Sequence, residues 1–199
     1  MKTNQLFFIL FFLIAIPVVS FGQEKPKLQY TIGFGPSVDL NNMLWGVNFS
    51  NELNVRLRKR TSFNAGLSFY QSLGSLEKKL LPPASDGKNR EQSSGIFITP
   101  SLKYDIIQRP SGFKLSFAAG PSLQLGGDTF LPAYFTGVPP SDYVINKYQR
   151  IGVFAELETE WNSKNPNVKN AASISAFTAD NGLFYLNAAY KVRFNLGKK

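Results

Sequence analysis

The 199-residue chain contains no cysteine and no histidine, and only 18% of it is charged. Without cysteine there is no disulfide framework, no thiol nucleophile and no thiolate zinc site. Without histidine the usual general base, the Ser-His-Asp arrangement and the imidazole metal site are excluded as well. Acidic residues are scarce too, 13 Asp and Glu against 22 Lys and Arg, for a formal net charge of +9. That balance would suit a polyanion, but the N-terminus directs the chain away from nucleic acid. No glycine-rich phosphate loop leads from a strand into a helix, so a nucleotide site has no basis in the sequence.

Long apolar runs are confined to one place. Lys2 opens a short basic segment, and Leu6 to Val19 is a run of 14 uncharged, apolar residues. Ser20 and Gly22 stand at the −3 and −1 positions of a cleavage site before Gln23. This is the layout of a secretory signal peptide. As a helix the run would reach about 21 Å, short of a roughly 30 Å hydrocarbon core, and Pro17 disfavours a spanning helix further. The expected organisation is a signal peptide at 1–22 and one exported β-barrel domain at 23–199. The absence of cysteine at the cleavage site excludes a lipoprotein. Only short segments flank the outermost strands, so no peptidoglycan-binding domain is expected, and export leaves no role with chromosomal DNA.

What the rest of the chain holds in quantity is apolar–polar alternation, the period-two signature of strands. One face reads Leu28, Tyr30, Ile32, Phe34, Pro36, Val38, Leu40, and the other Gln29, Thr31, Gly33, Gly35, Ser37, Asp39. Comparable runs begin near Trp45, Phe63, Ile96, Phe113, Ile151, Ala172 and Phe184, giving eight strands. Most run about ten residues, the span of a tilted strand across a membrane. The polar face is rich in Gly, Ser and Asn with some charge, which suits a narrow interior. The apolar face is bulky and aromatic, as lipid requires. Tyr30, Trp45, Phe63, Tyr104, Phe113, Trp161, Phe184, Tyr190 and Phe194 fall mostly near strand ends and read as interfacial girdles.

The connections alternate in length. Residues 58–61, 108–111 and 162–167 form short turns on one side, while 72–94 and 126–147 are long loops on the other. Outer-membrane barrels show this asymmetry, with short periplasmic turns and longer extracellular loops. The expected fold is all-β: an eight-stranded antiparallel up-and-down transmembrane β-barrel in the cell outer membrane. Its basic turn Arg58-Lys59-Arg60 would then lie beside anionic phospholipid.

The start QEKPKLQYTIGFGPSVDL, the repeated Gly35-Pro36-Ser37 and Gly120-Pro121-Ser122, and the related Thr99-Pro100-Ser101 carry a family likeness. On these residues the chain resembles the small eight-stranded outer-membrane barrels, especially the PorT-like family common in Bacteroidota, over nearly all of residues 28–196. The resemblance implies the architecture and, loosely, an accessory role in protein secretion. Such barrels often end on an aromatic residue, whereas here Phe194 is followed by Asn195-Leu196-Gly197-Lys198-Lys199.

Strand parity places Glu52, Arg56, Lys103, Asp105, Lys114, Glu156, Glu158, Lys191 and Arg193 in the lumen, mainly in its periplasmic half. Eight strands leave an interior just wide enough for side chains to fill. An unpaired buried charge costs several kcal/mol, so a salt-bridged plug is expected. The competing reading is an ion path, or a Ca²⁺ site on Glu156, Glu158 and Glu160; the neighbouring Lys and Arg argue against it. No metal, cofactor or catalytic residue is expected, because a serine without histidine lacks its base.

The 126–147 loop gathers Phe130, Leu131, Tyr134, Phe135 and Tyr143 among Pro and Gly. Clustered aromatics of this kind suit a protein partner or lipopolysaccharide, or a lid folded over the barrel mouth. The functional expectation is a non-enzymatic barrel that contacts outer-membrane lipid and lipopolysaccharide. It would act through its loops in binding, structure or secretion. The alternatives are a narrow channel for small apolar molecules, using a less charged upper lumen at Gly33, Gly35, Ser68 and Ser122, and a soluble lipocalin-like carrier.

Overall fold

The computed structural model of the chain describes residues 28–76, 92–130, 144–179 and 182–196. The expected signal peptide, the middle of the 72–94 loop and residues 131–143 lie outside the described residues. The strands are β1 (Leu28–Asp39), β2 (Leu44–Arg56), β3 (Thr61–Ser75), β4 (Gln92–Gln108), β5 (Lys114–Phe130), β6 (Val144–Asn162), β7 (Val168–Ala179) and β8 (Gly182–Asn195). Each pairs antiparallel with the next, and β8 returns to β1 to close the barrel. At this seam Leu196 N donates to Leu28 O at 2.9 Å, so both ends of the wall meet on one rim, the terminal rim. The opposite rim carries the long connections. No helix among the described residues is long and apolar enough to cross a membrane.

Burial is inverted relative to a water-soluble barrel. On β1, Thr31, Ser37 and Asp39 are buried while Phe34 is 58% exposed. On β4, Thr99, Ser101, Lys103 and Asp105 are buried, and Ile96, Ile98, Leu102, Tyr104 and Ile106 face outward. The apolar exterior continues through Phe49, Leu67, Phe117, Leu157, Ile174 and Tyr190. Apolar surface left in water forgoes roughly 25 cal/mol per Å², whereas hydrocarbon accepts it without that penalty. A lipocalin-like carrier needs the opposite faces turned inward, so that alternative does not fit this wall.

The long connections begin later than the alternation implies. Pairing of β5 with β6 continues from Gly126↔Tyr148 to Phe130↔Val144, and β3 runs on to Ser75. A ladder needs only backbone groups, so it persists through Gly126 and Gly127 where side-chain patterning has ended.

The recurring proline triplets mark interruptions in the wall. The β1–β8 ladder skips from Phe34↔Tyr190 to Ser37↔Asn187, passing over Gly35 and Pro36. The β4–β5 ladder skips from Ile98↔Leu123 to Leu102↔Ala119, where Thr99-Pro100-Ser101 faces Gly120-Pro121-Ser122. Proline brings no N–H to the ladder, and glycine lets the neighbouring backbone close in. A Cβ on Gly120 would lie 2.1 Å from Pro100 O, whereas one on Gly127 would come no nearer than 3.6 Å to Asn146 O. Gly120→Val is therefore expected to lower stability by about 2–3 kcal/mol, with Gly127→Ala nearly neutral, as measured by urea unfolding in detergent micelles.

Candidate functional site

The interior is built in two layers. In the layer toward the terminal rim, alternation on β6 aims Glu156, Glu158 and Glu160 into the lumen, opposite Lys191 and Arg193 from β8. Lys191 Nζ donates to Glu52 Oε1, to Glu156 Oε2 at 2.5 Å and to Glu158 Oε2 at 3.4 Å. Lys103 Nζ donates to Glu158 Oε1. Arg193 joins two rungs, donating from Nη2 to Glu158 Oε1 at 2.8 Å and from Nη1 to Glu160 Oε2. Its Nε donates to Thr31 Oγ1 at 3.0 Å.

Nearer the rim, Lys169 Nζ donates to Glu160 Oε1 at 2.7 Å, and Lys114 Nζ lies 3.4 Å from the same oxygen. Lys114 also reaches to 3.9 Å from Asp105, which accepts from Arg56 at 2.9 Å and from Ser116 at 2.8 Å. All the lumen charges selected from sequence thus meet in one connected set. Glu160 and Lys169 complete it. Glu160 carries the same parity as Glu156 and Glu158, while Lys169 precedes the alternating part of its strand and gave no signal.

Carboxylate oxygens of Glu52, Glu156 and Glu158 lie within 4.8 Å of one another, a spacing that could gather a metal ion. The Lys191 ammonium binds all three, so the lumen carries its own tethered cation at that point.

The layer toward the loop rim is aromatic. Tyr70, Phe97, Phe177 and Tyr185 are buried there. They meet edge to face, with centroids 5.0 Å apart for Tyr70–Tyr185, 5.3 Å for Phe97–Phe177 and 5.1 Å for Phe97–Tyr185. Such pairs contribute about 0.5–1.5 kcal/mol each beyond area burial. The Tyr148 and Tyr185 hydroxyls lie 3.1 Å apart, and Gln124 Nε2 donates to Tyr148 at 3.2 Å. Above them Arg150 sits 3.8 Å over the Tyr148 ring and 4.6 Å over Phe184. Asn42 Nδ2 bridges Asp39 at 3.0 Å and Asp128 at 3.1 Å on this rim.

The sequence reading left Tyr70, Phe97, Phe177 and Tyr185 on neither face and so missed this layer. Phe97 lies between outward Ile96 and Ile98, and Tyr70 directly follows outward Phe69, so parity was the available signal. Phe184 is a correction to the expected girdle. A register shift between Phe177↔Tyr185 and Thr178↔Leu183 breaks the parity of β8, and Phe184 packs half-buried against the internal cluster. Trp45, Tyr104 and Tyr190 do face outward.

Between the layers lies a cavity of about 40 Å³, bordered by Ser50, Glu52, Phe97, Thr99, Phe177 and Lys191. Of the loop residues singled out, Phe130 ends β5; its side chain, and the whole of Leu131, Tyr134, Phe135 and Tyr143, lie outside the described residues. Lys191→Met is expected to cost about 3–5 kcal/mol, because it strands buried carboxylates rather than removing a pair. Adding Glu156→Gln to Lys191→Met should recover part of that loss in the same urea titration.

No family model and no curated protein sequence matches the chain. Among solved structures it is similar to Neisserial surface protein A, with a TM-score of 0.56 at 13% identity, covering 88% of this chain and 100% of that one. It is also similar to the N-terminal β-barrel domain of Pseudomonas aeruginosa OprF, with a TM-score of 0.53 at 12% identity, covering 86% and 100%. At such identity the likeness is one of fold: the chain has the closed eight-stranded antiparallel barrel of small outer-membrane proteins.

Proposed function

We propose that the chain is a non-enzymatic outer-membrane barrel, delivered by a signal peptide at 1–22, whose lumen is a structural plug and whose working surface is its loop end. The terminal rim faces the periplasm in this reading and the loop rim faces outward. One observation carries it: the lumen is filled twice, by the ionic layer and by the aromatic layer. The cavity between them holds room for about one or two waters. The aromatic layer occupies the upper lumen that a channel for apolar molecules would need.

With the interior given over to packing, binding falls to the outer rim, where the sequence between β5 and β6 is rich in aromatic residues. Lipid and lipopolysaccharide surround the apolar belt in this reading. The Gly-Pro-Ser triplets and the sequence around residues 28–40 support a finer version, a PorT-like accessory to secretion. Comparing boiled and unboiled samples of the outer-membrane fraction by gel electrophoresis tests the placement, and planar-bilayer recording tests the plug. The expected results are a mobility shift and no conductance steps. Soluble recovery without a shift would contradict the barrel in the membrane, and regular conductance steps would favour the channel.

A further inference from the structure

The wall is not equally tall all round. β1 and β7 have 12 residues each, whereas β4 and β5 have 17 and β6 has 19. β6 pairs with β5 from Val144 onward, but its pairing with β7 starts only at Gly152↔Ala179. The β7–β8 hairpin closes at Ala179↔Gly182, so it cannot rise to cover the rest. Among the described residues Val144–Ile151 is therefore laddered on one side only, and no backbone group outside β5 pairs with it.

This is about 26 Å of strand with about four N–H and four C=O groups turned to the open side. Exposed edges of this kind are usually blunted by proline, bulges or charge. The chain has 12 prolines, yet none falls in 144–151. The β5–β6 ladder shows no register shift, and Lys147 is the one charge on the outer face of the segment. That face reads Ile145, Lys147, Gln149, Ile151, with Ile145 64% and Ile151 66% exposed. It contains no acid.

A second copy does not fit. Copies in one membrane stand the same way up, and an antiparallel join of two β6 edges needs a two-fold axis lying in the membrane plane, which would invert one of them. A parallel join would set the outer face of one wall beside the inner face of the other. The matching occupant is an extended segment of another polypeptide, with an acidic side chain opposite Lys147 and apolar ones opposite the two isoleucines.

We propose that Val144–Ile151 is a strand-addition site, which docks such a segment through main-chain hydrogen bonds. The proposal rests on the preceding reading for the outward placement of this rim, and it names how a partner is held there.

The test uses the full chain in lipid nanodiscs and a nine-residue peptide of Val and Thr with one central Glu. Two further forms of the peptide are N-methylated at alternate residues, one along each edge. Amide hydrogen exchange is read with and without peptide. The expected result is fast exchange of 144–151 in the free protein and at least tenfold slowing with the unmodified peptide. One methylated form should keep this effect and the other lose it, and Lys147→Glu should weaken binding about fivefold. No binding, protection elsewhere, equal behaviour of the two methylated forms, or slow exchange of 144–151 in the free protein would each overturn the proposal. Slow exchange throughout the paired wall, together with the gel shift, would leave the barrel reading standing even then; fast exchange of the wall would remove the barrel reading itself.

Discussion

Hydrocarbon offers no partner to a backbone N–H or C=O, and an unsatisfied group there costs several kcal/mol. Every strand that crosses must be laddered on both sides, so the sheet has to close, and β8 returning to β1 meets that demand. Closure with eight strands fixes a narrow interior. The narrow interior decides the rest: outward positions take Phe, Leu and Ile, and inward positions must fill the space with satisfied polar groups or with rings.

The two layers answer that packing demand differently. Near the terminal rim, Glu158 receives Lys103, Lys191 and Arg193 together, so a carboxylate that would be prohibitive alone becomes the centre of a compensated set. Near the loop rim, rings from β3, β4, β7 and β8 fill the space by edge-to-face contact. Beyond Gly152, toward the loop rim, β6 no longer has β7 beside it. There, among the described residues, β5 and β6 continue as a two-stranded ribbon with no third strand beside β6.

Much of this was legible in the chain because a barrel writes its faces at period two. Thr31, Lys103, Asp105 and Glu158 fall inward by parity alone, and their neighbours Leu102 and Leu157 fall outward by the same rule. The internal aromatics were illegible to a rule that sorts by residue type: Phe97 and Ile98 are both apolar, and only phase separates them. Phe184 defeats phase as well, because the register shift beside Phe177 is set by pairing across strands. The open edge of β6 was likewise invisible. It arises from the difference in height between neighbouring strands, and alternation along one strand says nothing about where its partner stops.

The inside-out wall is tested most directly on β4. The chain has no cysteine, so single cysteines placed in turn from 96 to 106 can each carry a spin label in bilayers. Accessibility to oxygen, which partitions into lipid, is predicted to peak at Ile96, Ile98, Leu102, Tyr104 and Ile106 and to fall at Phe97, Thr99, Ser101, Lys103 and Asp105, following their exposed and buried faces. The opposite phase, or no period of two, would contradict the account.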